Sequence, residues 1–341
     1  MADPHIHEDP NDKTRLNRGI QLLKDCEVLA KRNGTRDIIV AGDMWHSKHG
    51  VNQRVLLAIY RQLHAMKMRG YRVLWLRGNH EVTTKSHPAE SLMWLFTRVA
   101  CPIITPKIVS TEAHVLYFLP WYQEGPYKSW AKHFAKIALR DKRRKVLISH
   151  VGLKEGYTSA SNIQLPQPIS VGDLFPDTYD LVLLGDYHAH QMLADNTLYL
   201  GAPVPHTFGD RDTLGAWLLT FEPHGGNTSI EVLDLPSRHP RYETWDLSGI
   251  SGDATVWLGD TYNEFDRNRI RVPVELVDKV RRLYPAAQVE GVDSRDPQIT
   301  EGRMTGIKGT DTKNIFRAWL KSKGFKDKKY VELGWLYLTQ A

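Results

Sequence analysis

The sequence predicts an α/β fold with helices packed against a largely buried sheet. Helix-spaced segments and short apolar runs alternate from residue 12 to about 220, the layering of helices on a sheet. The apolar runs are too short for helices, and several end in Asp, His or Asn rather than in ordinary turn residues. Such ends gather at one edge of an open sheet, where ligands bind.

The elements follow in order. Residues 14–34, "TRLNRGIQLLKDCEVLAKRNG", carry apolar positions at helical spacing and stop on Gly34. "DIIVAGD" reads as a short buried strand, and "NQRVLLAIYRQLHAMKMRG" as a second helix closed by Gly70. "RVLWLRGNHE" is the next strand, followed by the helix-like "AESLMWLFTRVA". The short apolar runs "VLYFLPW", "KVLISHVG", "LVLLGDYH" and "TLYLGAP" come after it. From about residue 213 the pattern turns to β: "GAWLLTFE", "TSIEVLDL" and "RYETWDL", with turns at "PHGGN" and "PSRHP". "NRIRV", "PVELVDKVRRLYP" and "AQVEGV" suggest a small strand–helix–strand cap with Pro273 at a helix start. A polar, Gly-containing linker then leads to a tail with two short amphipathic patterns around Gly324. The domain organisation expected is 1–247, a cap at 248–298, and a linker with a partner-binding segment at 299–341.

Composition narrows the class. Of 341 residues, 41% are hydrophobic and 25% charged, as in a globular protein. No apolar stretch approaches the ~20 residues of a membrane span, and "MADPHIHEDP" lacks the apolar core of a signal peptide. Cys26 and Cys101 form neither a metal spacing nor a disulfide framework, so a reducing, cytoplasmic setting is expected. The net charge of +6 suits a polyanionic partner. The basic runs "LRDKRRK" and "KSKGFKDKK" read first as solvated helix ends.

The chemistry lies at the strand ends. Asp3 and His5 form D-x-H; Asp43 ends "IIVAGD", with His46 just beyond; Asn79 and His80 end "VLWLRGNHE". His150 ends "KVLISH", and Asp186 with His188 ends "LVLLGDYH". A mixed carboxylate, imidazole and amide set suits divalent ions that take both oxygen and nitrogen, such as manganese. One carboxylate bridging two ions ~3.5–4 Å apart clamps both the attacking and the leaving oxygen of a phosphate ester. An unligated histidine beside them can protonate the leaving oxygen. His7, His49 and His64 read as loop or helix-surface residues.

With these motifs in order, the chain resembles the calcineurin-like metallophosphoesterases, and within them the SbcD-type nuclease subunits of double-strand-break repair. Asp3/His5, Gly42/Asp43, Gly78/Asn79/His80, His150 and Gly185 to His188 fall where that family has D-x-H, G-D, G-N-H, H and G-H-x-H. "GDMWH" and "YLGAPVPHTFGD" are similar to the nuclease branch, whereas phosphatases of the superfamily carry G-D-x-x-D-R-G. The resemblance covers residues 1 to about 245.

It implies a four-layered α/β/β/α sandwich and two Mn2+ ions, or Mg2+. Asp3, His5, Asp43 and His188 would hold one ion; Asp43, Asn79, His150 and Asp186 would hold the other. His80 would be the catalytic acid, and His46 would orient the phosphate. The implied substrate is DNA, cut by exonuclease and endonuclease action. The implied partners are an SbcC-like coiled-coil ATPase and a second copy of the chain.

Three departures matter. The last motif can be read as Asp186 with His188 or as His188 with His190; the first is preferred because Gly185 ends the apolar run and Gln191 then falls where a family glutamine sits. Glu81 stands where the nuclease branch has aspartate, and is expected to orient His80. Only Met1 and Ala2 precede Asp3, so either a clipped start or a shortened first strand is expected.

Overall fold

The structure, a computed structural model, describes residues 1–10, 12–82, 90–112, 114–157, 164–210, 215–222, 228–249, 258 and 262–292. Helix α1 (Arg15–Arg32) buries Leu22, Leu23, Cys26, Leu29 and Ala30 on one stripe and ends with Lys31 and Arg32 in its last turn, where cations suit the helix dipole. Strand β1 (Asp37–Val40) follows. Helix α2 (Gln53–Met68) starts at Asn52, whose side chain accepts from the Arg54 N–H at 2.8 Å. Strands β2 (Arg72–Leu76) and β3 (Cys101–Ile103) complete a three-stranded parallel sheet in the order β1-β2-β3.

A second sheet has six strands. They are β4 (Lys107–Ser110), β5 (His114–Leu119), β6 (Arg144–His150), β7 (Leu181–Gly185), β8 (Gln191–Ala194) and β9 (Thr197–Tyr199), ordered β4-β5-β6-β7-β9-β8. Helix α3 (Glu124–Ala138) packs on it through Tyr127, Ala131, Phe134, Ala135 and Ala138. Pro126 is tolerated there because it lies in the first turn. One apolar cluster joins α1 and α2 to the first sheet. Another joins Leu74, Leu76 and Ile103 to Phe118, Ile148 and Leu183 of the second sheet.

Strands β10 (Ala216–Phe221) and β11 (Thr228–Leu233) form an antiparallel pair. Strand β12 (Tyr242–Asp246) leaves them and pairs in parallel with β13 (Arg267–Pro273), which pairs with β14 (Gln288–Val292). Helix α4 (Val277–Leu283) spans β13 to β14, with Ile270, Val272, Val280 and Val289 in its own small core. Tyr242, on the larger side of the boundary read from sequence, thus begins a strand of the small sheet.

Two expectations differ. Residues 89–100 read as a helix, yet the described part holds only a 3-10 turn at Leu92–Phe96 before β3. Met93 and Phe96 are buried while Trp94 and Leu95 face out, since four consecutive large apolar residues cannot all meet one core. The run "LRDKRRK" is not a free charged face: Arg143 pairs with Asp141, and Arg144 with Asp180, as the chain passes from α3 into β6. The tail at 299–341, including its basic run, lies outside the described residues. No helix among the described residues is long and apolar enough to cross a membrane.

The small sheet is tied back to α1. Arg267 meets Asp12, and Arg15 donates to the Tyr242 hydroxyl at 2.8 Å. Buried Asp25 accepts from His239 at 2.8 Å, Ser237 at 2.7 Å and Gln21 at 3.0 Å. Burial pushes its carboxyl up, but these three donors hold it below the usual carboxylate range. A depressed carboxyl contributes stability above its ordinary value of ~3.9 and loses it as pH falls through the folded one. Asp25→Ala should therefore cost ~1–3 kcal/mol in urea denaturation at pH 7, because buried donors lose their acceptor. The gap to the parent should shrink below about pH 4; a constant gap down to pH 2 would contradict the role of the charge.

Candidate metal centre

Residues 1–6 run alongside 41–46 before any named strand: Ala41 donates to the Met1 carbonyl at 2.8 Å, Asp3 to Gly42 at 3.2 Å and His5 to Asp43 at 3.0 Å. This pairing sets D-x-H against the end of β1. Strand β6 ends on His150 directly beside Gly185 of β7, so His150 and Asp186 emerge at the same edge.

The side chains then meet. His150 Nε2 lies 3.4 Å from Asp43, 3.6 Å from Asp186 and 3.9 Å from Asp3. His5 Nε2 is 3.1 Å from His188 Nε2 and 3.7 Å from Asp43. Asn79 Nδ2 donates to Asp186 at 3.2 Å. Asp3/His5/His188 and Asp3/Asp43/His150 each place ligand atoms within 4.8 Å of one another, so Asp3 reaches both groups.

The backbone is bent to make this possible. Among the described non-glycine residues, positive φ occurs at Asp3 (53°), His5 (44°), Asp43 (53°), Asp186 (101°) and Phe175. Four of these five are candidate ligands. Such conformations cost of order 1–3 kcal/mol each and gather at functional sites.

The donor atoms fit a divalent ion. Asn79 Oδ1 and His150 Nε2 are buried without a hydrogen-bond partner, a costly state unless something else satisfies them. His150 Nδ1 lies 2.7 Å from the Ala41 carbonyl. Donation to that carbonyl fixes the tautomer that leaves the Nε2 lone pair free, the usual arrangement of a metal-bound histidine. His188 also faces a carboxylate, its Nδ1 lying 3.6 Å from Asp210.

Charges are strongly perturbed. Burial, with Asp43 and Asp186 nearby, pushes the Asp3 carboxyl up to about 7. Burial opposes a charge on His150, yet Asp43, Asp186 and Asp3 hold its value well above that of free imidazole. Burial also opposes ionised Asp43, but His150, His5 and His80 hold it well below the carboxylate range. A cation needs Asp3 ionised and His150 neutral, so it must displace protons. Apparent affinity for a divalent ion should therefore fall as pH drops from 8 to 6, with protons released on binding. Calorimetry in two buffers of different ionisation enthalpy reads both; equal affinity and no proton release would contradict this.

His80 and His46 sit at the rim. Nδ1 of His80 contacts the His46 carbonyl, and its Nε2 lies 3.6 Å from Asp43. Trp45, wedged against Trp75 and Phe96, donates to the His80 carbonyl at 2.9 Å and pins that segment. The His46 ring is 5.2 Å from His5 and 5.7 Å from His80. His190 is held elsewhere, at 2.9 Å from the Tyr199 carbonyl and against Trp217, so Asp186 and His188 are the pair brought to the cluster.

Glu81 does not orient His80 by a side-chain bond. Its buried carboxylate accepts from the N–H groups of Asp43 (3.0 Å), Met44 (2.7 Å) and Gly78 (2.8 Å), and so shapes the loop that carries Asp43. His206 and Asp210 were not singled out from sequence. His206 Nε2 lies 2.9 Å from the Asp3 carbonyl, and Asp210 accepts from the His206 N–H at 2.7 Å besides facing His188. Both lie in "PHTFGD", whose similarity to the nuclease branch was the available signal.

No protein-family profile matches the chain, and no curated protein matches it. Among solved structures, a dimetal phosphatase from Danio rerio is 12% identical, with 58% of this chain and 84% of that chain covered at a TM-score of 0.38. A likeness of that size decides neither fold nor activity.

Proposed function

We propose that this chain is a two-metal phosphodiesterase of the calcineurin-like type that cleaves DNA, as the nuclease subunit of an SbcD–SbcC-like assembly. One observation carries the reading: five segment ends converge on a buried cluster in which Asn79 Oδ1 and His150 Nε2 make no hydrogen bond, with Asp43 3.4 Å and Asp186 3.6 Å from the His150 nitrogen. The apolar clusters on and between the two sheets support the four-layered arrangement. The net charge of +6 supports a polyanionic substrate.

Asp3, His5, Asp43 and His188 would hold one ion, and Asp43, Asn79, His150 and Asp186 the other. Bound ions would activate a water and neutralise the phosphate. The chain supplies the rest. His80, held through Nδ1 and its backbone, would offer Nε2 to receive the proton that the attacking water loses and pass it to the leaving oxygen. Exposed His46, beside His5 and His80 at the rim, would orient a phosphate oxygen. The Ala41 carbonyl keeps the His150 imidazole in its tautomer, and Asp210 faces His188 from 3.6 Å.

The test incubates the protein with linear DNA and Mn2+, with and without chelator, beside a simple phosphodiester. Chelator-sensitive DNA cleavage is expected. Cleavage of the ester alone would point to a small-molecule phosphodiesterase, and no turnover of either to a binding scaffold. The ATPase partner and the homodimer belong to the same proposal. Removing residues 305–341 should abolish co-purification with the ATPase and leave nuclease activity; an unfolded product would contradict this.

A further inference from the structure

Beyond the metal centre, three arginines gather where α1 meets the small sheet, and one of them lacks an acid. Arg18 and Arg267 both meet Asp12, while Arg15, the first residue of α1, has no carboxylate within 4 Å among the described residues. The Arg15 guanidinium donates only to neutral acceptors, the Tyr242 hydroxyl at 2.8 Å and His206 Nδ1 at 3.0 Å. His206 Nε2 lies 2.9 Å from the Asp3 carbonyl, so Nε2–H donates there and Nδ1 keeps the lone pair that accepts from Arg15. One imidazole thus separates this cation from the segment that carries Asp3 and His5. Two of the five guanidinium N–H groups are used, and none of the others is buried without a partner. Arg15 is half-buried and lines a small cleft with Pro4, His5, His206 and Tyr242. Charges withdrawn from water ordinarily have a partner of opposite sign, and a tie from α1 to the small sheet needs a hydrogen bond but no charge.

We propose that Arg15 binds the phosphate next to the one cleaved and so sets the register in which a DNA strand enters the metal centre. This rests on the DNA cleavage proposed above. The scissile phosphate would lie at the metal ligands. The His206 ring, 5.1 Å from the His5 ring and 5.1 Å from the His188 ring, holds the guanidinium back from them, so Arg15 meets a neighbouring phosphate instead. A planar fork of N–H groups matches two phosphate oxygens, and a partly buried pair is screened by salt less than an exposed one. Tyr242 begins β12, so the small sheet aims the fork from one side, and the Asp3 segment aims it through His206 from the other. A contact made equally to bound substrate and to transition state acts on KM rather than on kcat, which makes Arg15 a positioning residue.

The experiment measures binding of a labelled linear DNA duplex by fluorescence anisotropy over a range of salt concentrations, with chelator present so that nothing is cut. It compares the parent with Arg15→Gln, Arg15→Lys and Tyr242→Phe. Each phosphate contact contributes about 0.9 to the slope of log affinity against log salt. Arg15→Gln should lower that slope by ~1 and weaken binding ~10- to 100-fold, the scale for a hydrogen bond to a charged group. Arg15→Lys keeps the charge and should restore the slope, with weaker binding than the parent because the fork is gone. Tyr242→Phe removes the tie but not the charge, and should keep the slope. Where DNA is cleaved, Arg15→Gln should raise KM by a similar factor with little change in kcat. A slope unchanged in Arg15→Gln overturns the phosphate contact. So does a slope lost equally in Arg15→Lys or Tyr242→Phe, which would make Arg15 a structural tie. A parent that binds no DNA sinks this contact and the nuclease reading together. DNA bound with an Arg15-dependent slope but never cut supports the contact and counts against cleavage alone.

Discussion

On the proposed function, His80→Ala should lower turnover by ~10²-fold or more, the scale for loss of an acid–base group, and leave two divalent ions bound. The separation follows from geometry. The His80 side chain faces Asp43 from 3.6 Å through Nε2, but its backbone N–H donates to Asp43 Oδ1 at 3.0 Å. Alanine keeps that N–H, so Asp43 stays in place. Glu81 still holds the Asp43 and Met44 amides, and Asn79 still meets Asp186. Only the group proposed to move a proton at the rim is removed. Single-turnover kinetics and calorimetry read the two effects apart; loss of an ion would make His80 a ligand.

Gly42→Ala should have the largest combined effect, abolishing activity and lowering stability by ~2–5 kcal/mol. Gly42 has φ +100°, and a Cβ there would press on the His150 ring, 2.6 Å from Cγ and closer still to Nδ1. Left-handed backbone costs a residue with a Cβ ~1–2 kcal/mol, and overpacking a filled core ~1–3 kcal/mol. The ring cannot retreat, because it is fully buried and its Nδ1 is bonded to Ala41. His150 must turn, and its ion position is lost with it. Gly34→Ala is the control: φ is +68°, but nothing lies within 4 Å of its Cβ. It should lose only the backbone part and bind metal normally. A Gly42→Ala protein with parental stability and two ions would contradict this account of the loop.

What was legible in the sequence was the chemistry at the strand ends. Asp43, Asn79, His150 and Asp186 each close an apolar run; parallel pairing brings such ends to one edge within each sheet, and packing of the two sheets brings the edges together. Helices α1 and α2 were legible for a similar reason, since their apolar stripes and glycine stops are local signals. Helix α3 was not read, because Gly125 and Pro126 interrupt its start. Strand β3 is an edge strand of three residues with Pro102 inside it, too short to show a period. Glu81, His206 and Asp210 act on backbone groups or on a ligand's far nitrogen. Those roles depend on which loops meet in space, and no spacing along the chain encodes them.

The central proposal is that Asp43 would serve both of two ions held by the converging segment ends. The most direct measurement is the electron paramagnetic resonance spectrum of the protein loaded with two manganese ions, compared with Asp43→Asn. A carboxylate shared by ions ~3.5–4 Å apart couples their spins, so the parent should give an exchange-coupled spectrum and the variant should lose it together with at least one ion. The spectrum of two independent manganese ions in the parent, unchanged in Asp43→Asn, would contradict the claim.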